Sequence, residues 1–325
     1  MSYLVSENPA FPVLEKRKAQ DAPYHLPVLL GEVLGALRPG PGKTILDGTL
    51  GGGGHSEQFL ERGAHVIGID RDLDALAHAG RRLERFGEAF RAYEGNFADA
   101  GRILDEAGVE GVDGALLDLG VSSHQLDDPD RGFSFRESGP LDMRMSAKGS
   151  RTAADLVNNA STQELARIFI EFGEESRASQ ISHRIAKCRT RQPLLTTQDL
   201  VTAIEPVLPW HSTRHPATKV FMALRIAVNE ELESLSKGLE AITARLKSGA
   251  PFTVITFHSL EDRIVKNFFR DRSREWIDRP EWPAPRRNPR LAFRLLTSRP
   301  IEAADEEVHI NPRARSAKLR IVERL

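Results

Sequence analysis

Four short apolar runs, KTILDG (43–48), AHVIGID (64–70), FRAYEGN (90–96) and VDGALLDLG (112–120), alternate with runs of helical period. No other feature of the chain restricts its fold as much. Between them lie SEQFLERG, DLDALAHAGRRLERFG and DAGRILDEAG, and in the second Leu73, Leu76, Ala77, Leu83 and Phe86 recur at roughly helical spacing. Strand and helix alternating at this pitch predict βαβ units, and so a parallel sheet with both faces covered. Near residue 131 the alternation stops. From there to about 218 only helix signals appear: Ser161 with Glu164 reads as a capping box before LARIFIEF, and Thr197 precedes QDLVTAIEPVL, which Pro206 and Pro209 close. A long helical pattern then runs from about 218 to Gly249, and its Val220-Phe221-Leu224 face is expected to pack on the sheet. A buried strand, PFTVITFHS (251–259), and two later β-type runs, LAFRLLTS and SAKLRIVERL, complete the chain. The expectation is an α/β domain over 25–130 and 219–325, interrupted by an all-helical insert over 131–218 and preceded by a loose tail over 1–24.

Composition narrows the class. At 325 residues, with 40% hydrophobic and 28% charged side chains, the chain has the make-up of a soluble globular protein with a large core. No apolar run approaches the roughly 20 residues that cross a bilayer, and the N-terminus lacks the apolar stretch of a signal peptide, so a cytoplasmic location is expected. The single cysteine, Cys188, excludes an intramolecular disulfide framework and a thiolate zinc cluster. No His, Asp and Glu pattern has metal-ligand spacing, and none is expected to hold a metal. A net charge of −1 leaves room for basic faces. Ile181 to Lys219 holds six Lys or Arg against two acids, and Trp282 to Arg299 holds five arginines and no acid. Two such runs point toward a polyanion partner.

The stretch ILDGTLGGGGHS (45–56) sits in the first strand-to-helix turn, where a ligand is brought close to bare backbone. A phosphate-binding P-loop requires Lys-Ser/Thr where this chain has His55-Ser56. A dinucleotide site requires Gly-x-Gly-x-x-Gly, and no frame of the stretch fits it. The remaining reading is S-adenosylmethionine, which has no pyrophosphate to cradle. Asp70 closes the second strand, as expected of a carboxylate that takes ribose hydroxyls. Asp118 closes the fourth, and Glu94-Gly95-Asn96-Phe97 adds polar groups and an aromatic at the end of the third.

Together DGTLGGGGHS, GIDRD, LLDLGVSSHQLDDPDRGFSFRESGPLDMRM, HPATKVFMALRIAVNEEL, FHSLEDRIVK and NPRARSAKLRI resemble the MraW family of small-subunit ribosomal RNA methyltransferases, from about His25 to the C-terminus. The resemblance implies a Rossmann-like class I S-adenosylmethionine-dependent methyltransferase: a mostly parallel sheet, a C-terminal antiparallel hairpin and a helical domain inserted after the fourth strand. It implies methylation of the exocyclic N4 of one cytidine in the decoding centre of 16S ribosomal RNA, with the small ribosomal subunit as partner. Carried over by residue, it assigns cofactor contacts to Gly53, Gly54, His55, Asp70, Phe97, Asp118 and Gln125.

Cytosine N4 is a weak nucleophile, so a site must hold the amine about 3 Å from the methyl carbon and accept a proton from it. Amino-methyltransferases commonly carry Asp/Asn/Ser-Pro-Pro-aromatic at the end of the fourth strand. Here Asp118-Leu119-Gly120-Val121 keeps the acceptor but lacks both prolines and the aromatic. Asp118 and Asp142 are therefore both candidates for the proton acceptor. Phe133 and Phe135 are candidates for the stacking face of an extruded base. Arg184, Lys187, Arg189 and Arg191 in the insert, with Arg286, Arg287 and Arg290 beyond it, are candidates for RNA phosphates. Two other functions fit the same residues: a DNA amino-methyltransferase, and a ribosome assembly factor that binds the cofactor without transferring its methyl. The oligomeric state is not legible from the sequence.

Overall fold

The computed structural model describes residues 27–146, 148, 151–208, 215–278 and 280–325. The tail over 1–24 and Pro209 lie outside the described residues. Five strands pair in parallel in the order β3-β2-β1-β4-β5: β1 (Thr44–Asp47), β2 (His65–Asp70), β3 (Phe90–Glu94), β4 (Gly114–Asp118) and β5 (Pro251–Thr256). A separate two-stranded ribbon joins β6 (Trp276–Ile277) to β7 (Arg286–Arg287). The short strands β8 (Phe293–Leu295) and β9 (Ile301–Glu302) both run antiparallel to β10 (Lys318–Arg324), which itself pairs antiparallel with β5. This is the class I methyltransferase sheet, with its C-terminal antiparallel strands.

Period-two burial splits the strands between two layers. Ile45, Leu116 and Ile255 face one side, where α1 (Leu30–Leu37) and α2 (Gly54–Glu61) cover them, with the end of α3 (Leu73–Leu83) beside them. Leu46, Ala115, Leu117, Phe252 and Val254 face the other. The carboxyl ends of the strands carry the functional loops, and the first helix after β4 is the short α5 (Ser123–Asp127), which follows α4 (Ala100–Glu106) in the chain.

The next helices are α6 (Ala153–Asn159), α7 (Thr162–Glu171), α8 (Ala178–Arg189) and α9 (Thr197–Ile204), followed by α10 (Thr218–Asn229). Their apolar faces form one cluster of their own, from Phe133 to Leu224, with Phe169 fully buried in it. Local signals account for the starts. Thr152 with Asp155 and Thr196 with Asp199 form complete capping boxes, whereas Ser161 caps Glu164 N without the reciprocal bond. The cap of α9 is therefore Thr196, one residue before the Thr197 that the sequence suggests.

The long helix expected from 218 to 249 is two. Glu230 adopts φ 51° and ψ 39°, the left-handed region, and divides α10 from α11 (Glu231–Thr243). Asn229 shows why the break holds: its Nδ2 donates to Met143 O at 2.7 Å, its Oδ1 accepts from Met145 N at 2.8 Å, and its carbonyl accepts from Arg71 Nη1 at 2.9 Å. These bonds offset a backbone cost of roughly 1–2 kcal/mol for a non-glycine residue in that region. The break also overturns the packing expected of α10. Val220, Phe221 and Leu224 join the helical cluster, while it is α11, through Leu235, Leu239 and Ile242, that covers the sheet. By its packing, α10 goes with the helical segment, beyond the boundary expected at 219. Beside α11 lies α12 (Ser259–Ser273), and α13 (Asp305–Ile310) precedes the last strand. Among the described residues, no helix is long and apolar enough to cross a membrane.

Candidate active site

The carboxyl ends of β1 to β5 open into one cleft of about 1140 Å³, counted out to its open mouth. Its first wall is the glycine loop. Gly48, Gly51, Gly52, Gly54 and His55 line the cleft, whereas Gly53 does not. Gly53 has φ +77°, and a Cβ there would meet Leu83 Cδ1 of α3 at 3.0 Å. The loop is bare on two sides for two reasons, the cleft on one and a helix on the other.

Beneath the loop lies Asp47, buried, accepting from Ser56 Oγ at 2.7 Å and from Thr49 N at 3.2 Å. Burial, opposed by those bonds, lifts its carboxyl to about 6. Asp70, at the end of β2, accepts from Gly51 N at 2.7 Å through Oδ2 and from Asp72 N at 2.9 Å through Oδ1. Burial raises its pKa above the ordinary value. Each of its oxygens keeps a lone pair for a further donor. At the end of β3, Asn96 caps Ala98 N at 3.0 Å and donates to Ser234 Oγ of α11 at 2.8 Å. The Phe97 ring then reaches the cleft across α11 at Gly238, where a Cβ would lie 2.3 Å from Phe97 Cδ2.

Asp118 ends β4. Its backbone N–H donates to Thr49 Oγ1 at 2.6 Å, tying β4 to the glycine loop. Its Oδ2 lies 3.8 Å from His55 Nδ1, and its Oδ1 is buried with no hydrogen-bond partner among the described residues. His55 Nε2 lies 3.1 Å from Val28 O, and a carbonyl only accepts, so Nε2 carries a hydrogen. Burial, then the nearby charges of Asp47 and Glu261, push the Asp118 carboxyl up to about 8. This is a carboxyl poised to change charge near neutrality, at the wall of a cleft.

Gln125 also lines the cleft, but its amide is already engaged. Oε1 accepts from Ser122 N at 3.0 Å in a capping box, and Nε2 donates to Asp72 Oδ2 at 2.6 Å, which Arg131 also holds at 2.9 Å. It forms a fixed wall joining α5 to the end of β2.

The second acceptor candidate is not in the cleft lining. Asp142 is clasped by Arg144, with Oδ1 taking Nε at 2.8 Å and Oδ2 taking Nη2 at 2.7 Å. Burial works upward on its pKa, but the Arg144 hydrogen bonds prevail and leave it below the usual carboxylate range. Such a group is a poor proton acceptor. The PLDMRM segment instead shapes the loop whose Met145 reaches the cleft. The stacking candidates are structural too. Phe133 is buried in the helical cluster, and Phe135 packs on Phe221 at 4.8 Å and His215 at 4.7 Å between ring centres.

The RNA candidates divide. Arg184 and Arg189 bond their guanidinium groups to Ala203 O at 3.1 Å and Val157 O at 2.7 Å, whereas Lys187 and Arg191 are exposed. Arg286, Arg287 and Arg290 are exposed as well, with Arg286 lying over the Trp282 ring at 4.9 Å. They lie at the far edge of the sheet. From the cleft, α12 runs 15 residues back, about 22 Å at 1.5 Å per residue. Ala292 N then bonds Arg272 O at its end, and Leu325 N bonds Ala292 O beside the start of β5.

Several lining residues are ones the sequence did not single out. Arg71 lines the cleft with its Nε unpartnered among the described residues. Glu231 is held by Arg225 through two bonds of 2.8 Å. Glu261 closes a capping box with His258, its Oε2 accepting from Phe257 N at 2.9 Å. That box was readable in FHSLED, but its place at the cleft was not. Glu231, His258 and Glu261 bring ligand atoms within 4.8 Å of one another. Arg225 already supplies the cation for Glu231 there.

The family description MraW methylase family matches residues 22–325. The ribosomal RNA small subunit methyltransferase H of Trichlorobacter lovleyi is 51% identical over 308 residues, 93% of this chain and 98% of that one. That of Geobacter sulfurreducens is 51% identical over 307 residues, 93% and 99%. Among solved structures, an rRNA methylase from Streptococcus thermophilus aligns at TM-score 0.40 and 10% identity, over 96% of this chain and 99% of that one. The family match across nearly the whole chain, borne by relatives of equal length, places this protein in the MraW methylase family of S-adenosylmethionine-dependent methyltransferases.

Proposed function

We propose that the protein methylates the exocyclic N4 of a cytidine in 16S ribosomal RNA, with Asp118 as proton acceptor. The observation that carries the reading is the buried Oδ1 of Asp118, without a hydrogen-bond partner among the described residues, in a cleft also walled by the glycine loop, Asp70 and Phe97. S-adenosylmethionine, when bound, supplies an electrophilic methyl and a positive charge. Asp70 would accept from the ribose hydroxyls, the backbone of Gly54 and His55 and the ring of Phe97 would bound the nucleoside, and Gln125 and Asp72 keep the far wall in place. An exocyclic amine must shed a proton as it gains a methyl, and Asp118 is the group that would take it. The positive charge of the sulfonium favours the ionised form of Asp118, the form able to accept a proton. The helical segment from 131, with α10, serves as substrate-recognition domain, and Lys187 and Arg191 are its available phosphate contacts.

Transfer of labelled methyl from S-adenosylmethionine to unmodified small ribosomal subunits tests this, with extracted RNA and double-stranded DNA run in parallel and the labelled nucleoside identified. Label in N4-methylcytidine of the RNA is the expected result. Label in DNA overturns the choice of substrate. Tight cofactor binding with no transfer to any substrate leaves a non-catalytic assembly factor in its place.

A further inference from the structure

One segment at the rim of the cleft lies outside both basic runs. From Val308 to Val322 the chain holds Arg313, Arg315, Lys318, Arg320 and His309, and no acid. Strand register places it. Lys318 pairs with Thr256, the last residue of β5, and Thr256 Oγ1 bonds Lys318 O at 3.3 Å. The following residue, Phe257, lines the cleft. Residues 311–317 thus lie at the carboxyl edge of the sheet, where the cleft opens.

The loop is rigid. Pro312–Ser316 forms a tight 3-10 turn, and Ala314 and Ala317 are buried in the α1 and α2 layer. Arg313 crosses to Asp127 at the end of α5 at 2.7 Å, and Arg320 is clasped by Asp262 at 2.7 and 3.1 Å. Arg315 stands exposed between the two buried alanines, with no carboxylate partner among the described residues, and Lys318 is half-buried beside it. A cation whose backbone is anchored beside a cleft, with no carboxylate partner among the described residues, fits an oxyanion. Guanidinium matches phosphate through two parallel hydrogen bonds. Phosphates flanking a base held in the cleft lie at its rim, about 20 Å from Arg286 and Arg287.

We propose that the 311–318 loop clamps RNA phosphates next to the target nucleotide, with Arg315 as its principal contact; this rests on RNA being the substrate. The test compares Arg315→Glu with the double variant Arg286→Glu, Arg287→Glu, in the full chain with S-adenosylhomocysteine present. Binding to unmodified small subunits and S-adenosylmethionine affinity are both measured. Arg315→Glu is expected to weaken subunit binding at least tenfold and leave cofactor affinity unchanged, while the double variant stays within threefold of wild type. Arg315→Ala should reduce the slope of log affinity against log salt by about 1. Subunit binding by Arg315→Glu within twofold of wild type overturns the proposal. So does a larger loss in the double variant. Wild-type protein that binds no subunit overturns the RNA reading itself, and the loop assignment with it.

Discussion

Asp118 makes cofactor affinity depend on pH, and the size of the effect follows from its surroundings. With a pKa of about 8 it is ionised in roughly one molecule in a hundred at pH 6, one in ten at pH 7 and one in two at pH 8. A positively charged sulfonium cofactor favours the ionised form, and binding must draw the proton off. Affinity for S-adenosylmethionine is then expected to rise about fiftyfold from pH 6 to pH 8, with about 0.9 proton released per cofactor bound at pH 7. Calorimetry in buffers of different ionisation enthalpy reads both quantities. S-adenosylhomocysteine, which lacks the sulfonium charge, should show a shallower slope, and Asp118→Asn should abolish most of it. Asp47, at about 6, adds less than twofold across this range. The same shift acts on stability. The folded-state pKa lies above the ordinary carboxylate value, so the native state binds the proton more tightly; stability falls as pH rises from about 4 to 8 and stays lowered above it. In full the shift corresponds to about 6 kcal/mol, an upper bound on the effect. Asp118→Asn should therefore gain more in Tm at pH 8 than at pH 6. Equal affinities at pH 6 and 8 in the wild type, or an unaltered slope in Asp118→Asn, would refute the assignment of Asp118 as the titrating wall of the site.

Gly238→Ala places a methyl against the Phe97 ring, so cofactor affinity should fall about tenfold, while the chain loses up to about 2 kcal/mol, the roughly 1–3 kcal/mol of overpacking less the roughly 1 kcal/mol by which alanine favours a helix. Fluorescence or calorimetric titration beside a melt separates the two effects. Asn229→Ala leaves Met143 O and Met145 N unpaired, at about 1–3 kcal/mol each, and loosens the loop that brings Met145 to the cleft. Urea unfolding should show the loss. Phe169→Ala empties the middle of the helical cluster and should cost about 3–5 kcal/mol there, with cofactor affinity kept. Hydrogen exchange would show the opening confined to α6 to α10.

The parallel sheet was legible because its signal is local. Each strand is a short apolar run ending in a polar residue, and Asp47, Asp70, Glu94 and Asp118 all fall at strand ends as read. The helical interruption was legible for the same reason, through its caps. What the sequence could not show depends on contacts between distant segments. Nothing within TKVFMALRIAVNEELES announces that Glu230 turns left-handed, because the cause is Met143, Met145 and Arg71, far off in the chain. Asp142 looked available until Arg144, two residues away, proved to be its partner, and the Phe pair of RGFSF proved to be core. The basic run at 282–299 was visible as charge, but its position at the edge away from the cleft was set by the direction of α12.

Adjacent strands β4 and β5 are separated by roughly 130 residues of chain, against about 20 in the connections that follow β1, β2 and β3. Closing the longer loop costs only about 1.6 kcal/mol more by polymer statistics, since each doubling adds about 0.6. The cost falls further if the intervening helices condense around Phe169 first and shorten the free chain. Thermodynamically the segment is a cheap passenger. Kinetically it is not, because the central sheet cannot close until that segment has brought its two ends together. The order of folding is thereby built into the chain's connectivity: the helices packed around Phe169 are the ones expected to gate assembly of the sheet whose strand ends form the cleft.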